Sequence, residues 1–403
     1  MSLNQTPSSE RVHISFFGKR NAGKSSIINA VTKQDIAIVS RVGGTTTDPV
    51  YKSMELLPLG PVMLIDTPGI DDEGEVGLLR VKKTYQVLNK TDIAVLITDA
   101  TAPLSEADRA LVARFTAKEI PYLIVRNKAD LIEIPANPAS HEIYVSARTG
   151  SQIEELKEKI AALGRHTESR LRIVGDLLHP SDFVVLVVPI DKAAPKGRLI
   201  LPQQQVIRDV LESDAVSIVV KEYELRETLE NLHKKPALVI TDSQVFAKVA
   251  ADTPTDVRLT SFSILFARYK GDLLSLVQGV KALDTLQHQD RILICEGCTH
   301  HRQCDDIGTV KLPRWITQYT GKKLEFEFCS GTEFPEDLAP YSLIVHCGAC
   351  MLNEREMKYR IRTAADQKVP MTNYGLLIAR IQGILKRSLE PFPYIYSVFT
   401  DEA

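Results

Sequence analysis

The sequence predicts an α/β protein of three domains, and three observations carry that prediction. Apolar strands alternate with helical patterns along most of the chain, a glycine-rich loop joins the first strand to the first helix, and all six cysteines fall in the last part. The chain has 403 residues, 44% hydrophobic and 25% charged, an ordinary globular composition at a length that suits about two to four domains. We expect a nucleotide domain over 1–170, a small α/β unit over 178–256 and a metal-binding α/β unit over 260–403. The longest apolar run, FVVLVVPI from Phe183 to Ile190, falls far short of the about 20 residues a membrane span needs. MSLNQTPSSERVH lacks the charged-then-apolar pattern of a signal peptide, so the expectation is a cytoplasmic protein off the membrane. A net charge of −2 gives no footprint for nucleic acid.

The first unit opens with VHISFFGKRNAGKSSIINAV: an apolar strand, a Gly-x-x-x-x-Gly-Lys-Ser loop from Gly18 to Ser25, and a helix start. Such a loop wraps backbone N–H groups around a β-phosphate at a helix N-terminus. Gly18, Asn21, Ala22, Gly23, Lys24, Ser25 and Ser26 form the expected cradle, with Lys24 reaching the β/γ oxygens and Ser25 offering its hydroxyl to Mg²⁺. VMLIDTPG then delivers Asp66 at a strand end to hold Mg²⁺ through water, and Gly69 to approach the γ-phosphate. IPYLIVRNKAD ends in Asn127, Lys128 and Asp130, whose carboxylate suits the N1–H and 2-amino donors of guanine. After the strand EIYV, Ser146 and Ala147 bring backbone to the base oxygen. Four motifs at strand carboxyl ends, in this order, point to a GTP-binding doubly wound domain.

This set resembles the translation-factor-like GTPases that include tRNA-modification and ribosome-assembly enzymes. The resemblance implies that Asn21 helps hold K⁺ and that Gly43-Gly44-Thr45-Thr46-Thr47-Asp48 is the first switch, with Thr46 as the Mg²⁺-sensing threonine. Ile70 stands where a water-orienting glutamine stands in Ras-like enzymes. An aliphatic side chain cannot polarise water, so intrinsic GTP hydrolysis should be slow, and the resemblance implies that potassium near Asn21 stimulates it.

Beyond the charge-rich stretch GRHTESRLRI, three apolar strands, FVVLVVPI, AVSIVVKE and PALVITD, alternate with the helical patterns PQQQVIRDVLES, ELRETLENL and SQVFAKVAA. No chemical constellation stands out. Asp191, Lys192, Lys196 and Arg198 read as a solvated loop. A small sheet with an exposed edge and no site of its own is a candidate for edge-to-edge pairing, hence a homodimer.

The last unit begins near Leu259 with a mainly helical entry, SFSILFARYKGDLLSLVQGVKAL, followed by the strand-and-turn runs RILICEGCTH, KLEFEFCSG and YSLIVHCGAC. Cys298 and His300 lie just past one strand, His346, Cys347 and Cys350 at the end of another, so one sheet would bring them to a common crevice. Cysteines absent from the first 294 residues and clustered here favour metal over disulfides. Three readings stand open on the residues: a structural zinc on Cys298, His300, Cys347 and Cys350, a Cys347–Cys350 redox dithiol, or a 4Fe–4S cluster on three cysteines with one iron exchangeable. Cys295, Cys304 and Cys329 read as buried or incidental thiols. Glu296 and Asp305 are oxygen donors near the ligands, and Asn373 and Tyr374 are candidates to line the same crevice.

Taken whole, a phosphate-loop GTPase, an α/β middle and a tail with Cys-x-His and His-Cys-x-x-Cys resemble the HydF family, the maturation GTPases of FeFe-hydrogenases. The resemblance implies that Cys298, Cys347 and Cys350 hold a 4Fe–4S cluster, with His300 and His346 as supporting or exchangeable ligands. It further implies a scaffold or carrier for the di-iron part of the hydrogenase active site, with the hydrogenase and its radical-SAM maturases as partners. The rival reading is a ribosome- or tRNA-associated, potassium-dependent GTPase with a zinc tail.

Overall fold

The computed structural model describes residues 6–33, 49–70, 81, 83–164, 172–190, 199–297, 306–331 and 333–401. Thr46 and the rest of the first switch, Asp191 to Arg198, Cys298, His300, Cys304 and Asp305 lie outside the described residues. The chain divides into two compact units, Met1–Ser169 and Arg170–Ala403.

In the first unit a six-stranded sheet runs in the order β2-β3-β1-β4-β5-β6. These strands are β1 (Val12–Phe17), β2 (Val50–Leu56), β3 (Gly60–Asp66), β4 (Ile93–Asp99), β5 (Tyr122–Asn127) and β6 (Glu142–Tyr144). Only β2 is antiparallel to its neighbour, so the carboxyl ends of the other five face one way. β1 and β4 are buried on both faces because each face carries a core: one holds Phe16, Ile27, Val95 and Ile160, the other Phe17, Leu96 and Phe115. The helices Lys24–Thr32 and Ile153–Gly164 serve the first core and Glu106–Ala117 the second, as a doubly wound sheet requires. Ser105 opens Glu106–Ala117 with a full capping box to Asp108.

The second unit holds two all-parallel sheets of four strands. In one the order is β10-β9-β7-β8, with β7 (Phe183–Val187), β8 (Val216–Val220), β9 (Leu238–Thr241) and β10 (Leu259–Ser261). Sequence gave three of these; β10 stands where only the start of a helical segment was expected, and it pairs with β9 before the helix Phe262–Lys270 begins. In the other sheet the order is β12-β11-β13-β14, with β11 (Arg291–Glu296), β12 (Glu325–Ser330), β13 (Leu343–His346) and β14 (Met371–Asn373). One hydrophobic core runs continuously through both sheets, from Val184 and Val239 to Ile294, Val345 and Leu377. Because the chain leaves β11 first for β12 and then for β13 on its other side, the topological switch lies between β11 and β13. A crevice belongs at their carboxyl ends.

Candidate functional sites

At the carboxyl end of β1 the backbone turns through Gly18 (φ +143°) and Gly23 (φ +92°) into the helix Lys24–Thr32. Both positions also lack room: a Cβ on Gly18 would sit 2.2 Å from the Ile97 carbonyl oxygen, and one on Gly23 2.2 Å from Asn127 Nδ2. Asn21 is exposed in the loop at φ +60°, with Ala22 buried behind it and Ser26 exposed on the first helical turn. Lys24 Nζ donates to the carbonyls of Gly18 (2.9 Å) and Lys19 (3.0 Å), which hold the ammonium over the loop. At the end of β3, Asp66 Oδ2 accepts from Ser25 Oγ at 3.4 Å, while Oδ1 is buried with no hydrogen-bond partner. Burial raises the Asp66 pKa, with the Lys24 charge and the Ser25 hydrogen bond working against it. A hydroxyl and a carboxylate that converge with one oxygen atom unused fit Mg²⁺, a hard cation that takes oxygen ligands. Gly69 follows, half-buried, after Thr67 has tied its hydroxyl to the Phe16 carbonyl (2.8 Å).

The base end of this site is braced across strands. Asn127 Nδ2 donates to the Ala22 carbonyl (3.0 Å) and its Oδ1 accepts from Ala147 N (3.1 Å), joining the phosphate loop to the segment after β6. Asp130 Oδ1 accepts from Ser146 Oγ at 2.6 Å, so the carboxylate expected to read guanine is already oriented. Lys128, at φ +67°, pairs its ammonium with Asp99 at the end of β4 (2.6 Å). Although burial opposes it, the Lys128 hydrogen bond with those from Thr101 holds the Asp99 pKa at about 2. Asp99 is a member of this constellation that sequence motifs did not reveal.

The crevice of the third sheet holds the second site. Cys347 N donates to the Cys295 carbonyl (2.9 Å), which places the Cys347–Cys350 turn beside the end of β11. Cys347 Sγ accepts from Gly297 N (3.0 Å) and Ala349 N (3.4 Å). Burial pushes the Cys347 pKa up to about 11 and raises that of Cys350, the latter against the charge of Lys270. Lys270, 2% exposed at the end of Phe262–Lys270, donates to the carbonyls of Ala349 (3.3 Å), Cys350 (3.0 Å) and Leu352 (2.8 Å). The ammonium thus clamps the whole turn from beneath.

His346 is fully buried and has both ring nitrogens engaged. A guanidinium only donates, so Nε2 accepts from Arg360 Nη1 (3.0 Å) and Nδ1–H donates to the Cys347 carbonyl (2.9 Å). Burial, then the Arg360 charge, lowers its pKa to about 3, which leaves a neutral ring that orients the turn. Arg360 is buried too, paired with Glu356 (2.9 Å) and donating to the Gly331 carbonyl (2.8 Å). Cys295 and Cys329 face each other across β11 and β12, buried, with Sγ atoms 2.8 Å apart. Among the described residues no group of three or more His, Cys, Asp and Glu side chains converges as for a metal ion; Cys298 and His300, which the expected set needs, are outside them.

Two family models described as hydrogen maturase F domains match the second unit: the dimerization domain over residues 173–271 and the tetramerization domain over 274–391. Together they span more than half of the chain. The protein belongs to the hydrogen maturase F family. Ahead of them, a model described as a 50S ribosome-binding GTPase matches residues 13–128, so this hydrogen maturase F chain carries a GTPase domain in front of its two family-specific regions. Curated relatives match over part of the chain. The tRNA modification GTPase MnmE of Bordetella petrii is 36% identical over 155 residues, 38% of this chain and 34% of that protein. The MnmE of Legionella pneumophila is 35% identical over 145 residues, 36% and 32% of the two. The chain thus spans about a third of the length of these relatives. Among solved structures, Aquifex aeolicus Era is 19% identical, covering 54% of this chain and 97% of its own, with a TM-score of 0.34. A GTP-binding protein of Sulfolobus solfataricus is 20% identical, covering 39% and 53%, with a TM-score of 0.29.

The sulfur donors that the structure describes in the crevice, Cys347 and Cys350, are of the kind that ligates an iron–sulfur cluster or zinc. Sγ of Cys347 already accepts two backbone N–H groups, the donors a thiolate bound to iron would use, and the turn carries a buried cation beneath it.

Proposed function

We propose that this hydrogen maturase F is a slow GTPase that serves as scaffold or carrier for the di-iron part of the FeFe-hydrogenase active site. Cys347 and Cys350, with Cys298, would hold a 4Fe–4S cluster with one exchangeable iron position. Such a cluster supplies an open iron where an organometallic cargo can be bound and given up. The observation that carries this reading is the braced Cys347–Cys350 turn at the switch point of the third sheet, in a chain matched there by a hydrogen maturase F domain. His346 acts as a neighbour that orients the turn, since its two nitrogens are used within the protein; His300 remains the supporting ligand.

At the front, Lys24, Ser25, Asp66 and Thr46 would bind the phosphates and Mg²⁺, with Asn127, Asp130, Ser146 and Ala147 reading guanine. Asn21, exposed in the phosphate loop, would hold the K⁺ that substitutes for an arginine finger while Ile70 leaves the attacking water unaided. The hydrogenase and its radical-SAM maturases are the partners, a homodimer is the working form, and the regions 1–170, 178–256 and 260–403 divide the tasks of nucleotide binding, self-association and cluster binding.

Anaerobic reconstitution with iron and sulfide, followed by metal analysis and paramagnetic resonance of the reduced protein, should give about four iron atoms per chain and a reducible cluster. The same preparation should turn over GTP faster in potassium than in sodium buffer. One zinc per chain and no reducible cluster would favour the rival tRNA- or ribosome-associated GTPase, and equal rates in the two buffers would remove the potassium role.

A further inference from the structure

Cys295 and Cys329 are the two described cysteines that the proposed function leaves unused, and the fold sets them together. They are register partners in the parallel pairing of β11 and β12. Neighbouring strands lie about 4.8 Å apart, and partners in a parallel pair send their side chains to the same face, so the two Cα atoms fall inside the window of about 4.4–6.8 Å that a disulfide spans. The sulfurs have already met, Sγ to Sγ, at 2.8 Å. Both thiols are free, so the pair is a dithiol held within a short shift of a bond.

The two sulfurs are not equivalent. Cys295 sits on the inner strand β11 and is fully buried, whereas Cys329 sits on β12, the last strand of the sheet order, and is 9% exposed. Arg360 donates to the Gly331 carbonyl (2.8 Å), two residues past Cys329, and brings a positive charge to that side. The hydrogen bond with Cys295 lowers the Cys329 pKa, burial works against it, and the Arg360 charge adds to the lowering. The sulfur nearer to solvent favours its thiolate and has a second thiol directly behind it, as an attacking cysteine has its resolving partner.

We propose that Cys329 and Cys295 form a reversible oxidation site for small peroxides. The Cys329 thiolate attacks one oxygen of hydrogen peroxide: the S–O bond forms, the O–O bond breaks, and hydroxide leaves to be protonated to water. The Cys295 sulfur then attacks the sulfenic sulfur. The S–S bond forms, the S–O bond breaks, and the departing hydroxide takes the Cys295 proton as a second water. Two thiols are thus oxidised to one disulfide while peroxide is reduced to two waters, and a dithiol reverses the change by exchange. The link fastens the edge strand to β11, whose Cys295 carbonyl accepts from Cys347 N (2.9 Å), so the wall of the crevice registers oxidation without consuming Cys347 or Cys350. The inference stands apart from the cluster reading, since neither sulfur is a ligand in it.

The test exposes the folded, reduced, metal-free full chain to excess hydrogen peroxide, quenches it in acid and alkylates the remaining thiols in denaturant before mass mapping. Cleavage after glutamate separates Cys295 from Cys298 at Glu296, and Cys329 from Cys347 at Glu333. The expected result is that Cys295 and Cys329 leave the alkylated pool together, appear in one cross-linked pair of peptides, and both return after dithiothreitol. Recovery of both as alkylated thiols overturns the proposal. So does a link from either to another cysteine, or conversion of Cys329 to its sulfinic acid with Cys295 still free. Dimedone, which traps sulfenic acids, reads the two roles: it should mark Cys329 in Cys295→Ser and leave Cys295 unmarked in Cys329→Ser, and the reverse pattern overturns the assignment of the attacking sulfur. Should either variant fail to fold, the wild-type map still decides, because it needs no substitution.

Discussion

At the scale of single residues, the phosphate loop was legible because its chemistry is contiguous in sequence. Gly18, Gly23, Lys24 and Ser25 must follow one another to wrap a phosphate, and the structure gives each glycine a reason in backbone conformation and in space. Lys270 was not legible. It ends the ordinary amphipathic stretch FSILFARYK, and only the packing of that helix under the cysteine turn, 79 residues away in sequence at Ala349, gives it meaning. Asp99 and Arg360 escaped for the same reason, since each is defined by a partner on another element. The clamp has a measurable consequence. Replacing Lys270 with Met keeps the length and removes the ammonium, leaving three carbonyls of the turn without their donor. Local opening of the turn should become easier by roughly 2 kcal/mol, about thirtyfold. In the metal-free full chain, alkylation of Cys350 by iodoacetamide should accelerate by about that factor, while K270R should fall in between. An unchanged rate in K270M would show that the turn holds itself.

Among the elements, the long apolar strands could be read directly and the three-residue ones could not. β10 and β14 are too short to establish a period of two, and each runs straight into a helix whose pattern dominates the local sequence. They exist because a neighbouring strand offers a ladder, which is tertiary information. β8 shows the opposite case: its sequence gave a strand, and the sheet order leaves it at an edge with Val216 and Val219 41% and 45% exposed. Val216 N donates inward to Asp182 O and Val220 O accepts from Val188 N, so by the alternation of a strand Ser217 and Val219 present their backbone groups outward. An edge of this kind suits the homodimer proposed for the region matched as a dimerization domain. Proline at position 219 would remove an outward N–H without touching the ladder to β7. By sedimentation, Val219→Pro should weaken self-association at least about tenfold, counting the bond lost once from each copy. A dimer of wild-type strength in V219P would move the interface elsewhere.

For the whole molecule, sequence gave three α/β regions, and the structure shows three sheets in two compact units. The difference lies in the core. Motifs mark where chemistry changes along a chain, but whether two regions fold as one depends on whether their apolar faces meet, and no local pattern reports that. Among the described residues, the buried members of the two cores of the first unit run from Ile14 to Ile160, whereas one core serves both sheets of the second unit. Cooperative unfolding follows shared cores, so calorimetry of the full chain should resolve two transitions. The groups proposed to bind guanine nucleotide and Mg²⁺ all belong to the first unit. At a hundredfold excess over its dissociation constant it should stabilise that unit by about 2.7 kcal/mol, moving one transition up by roughly 5–10 °C for a domain of this size. The other transition should stay in place, and should rise instead when the cluster is reconstituted. Three transitions would mean that the core spanning the second and third sheets is not cooperative. A single transition carried upward as a whole by nucleotide would mean that the two units are coupled as strongly as each is held together.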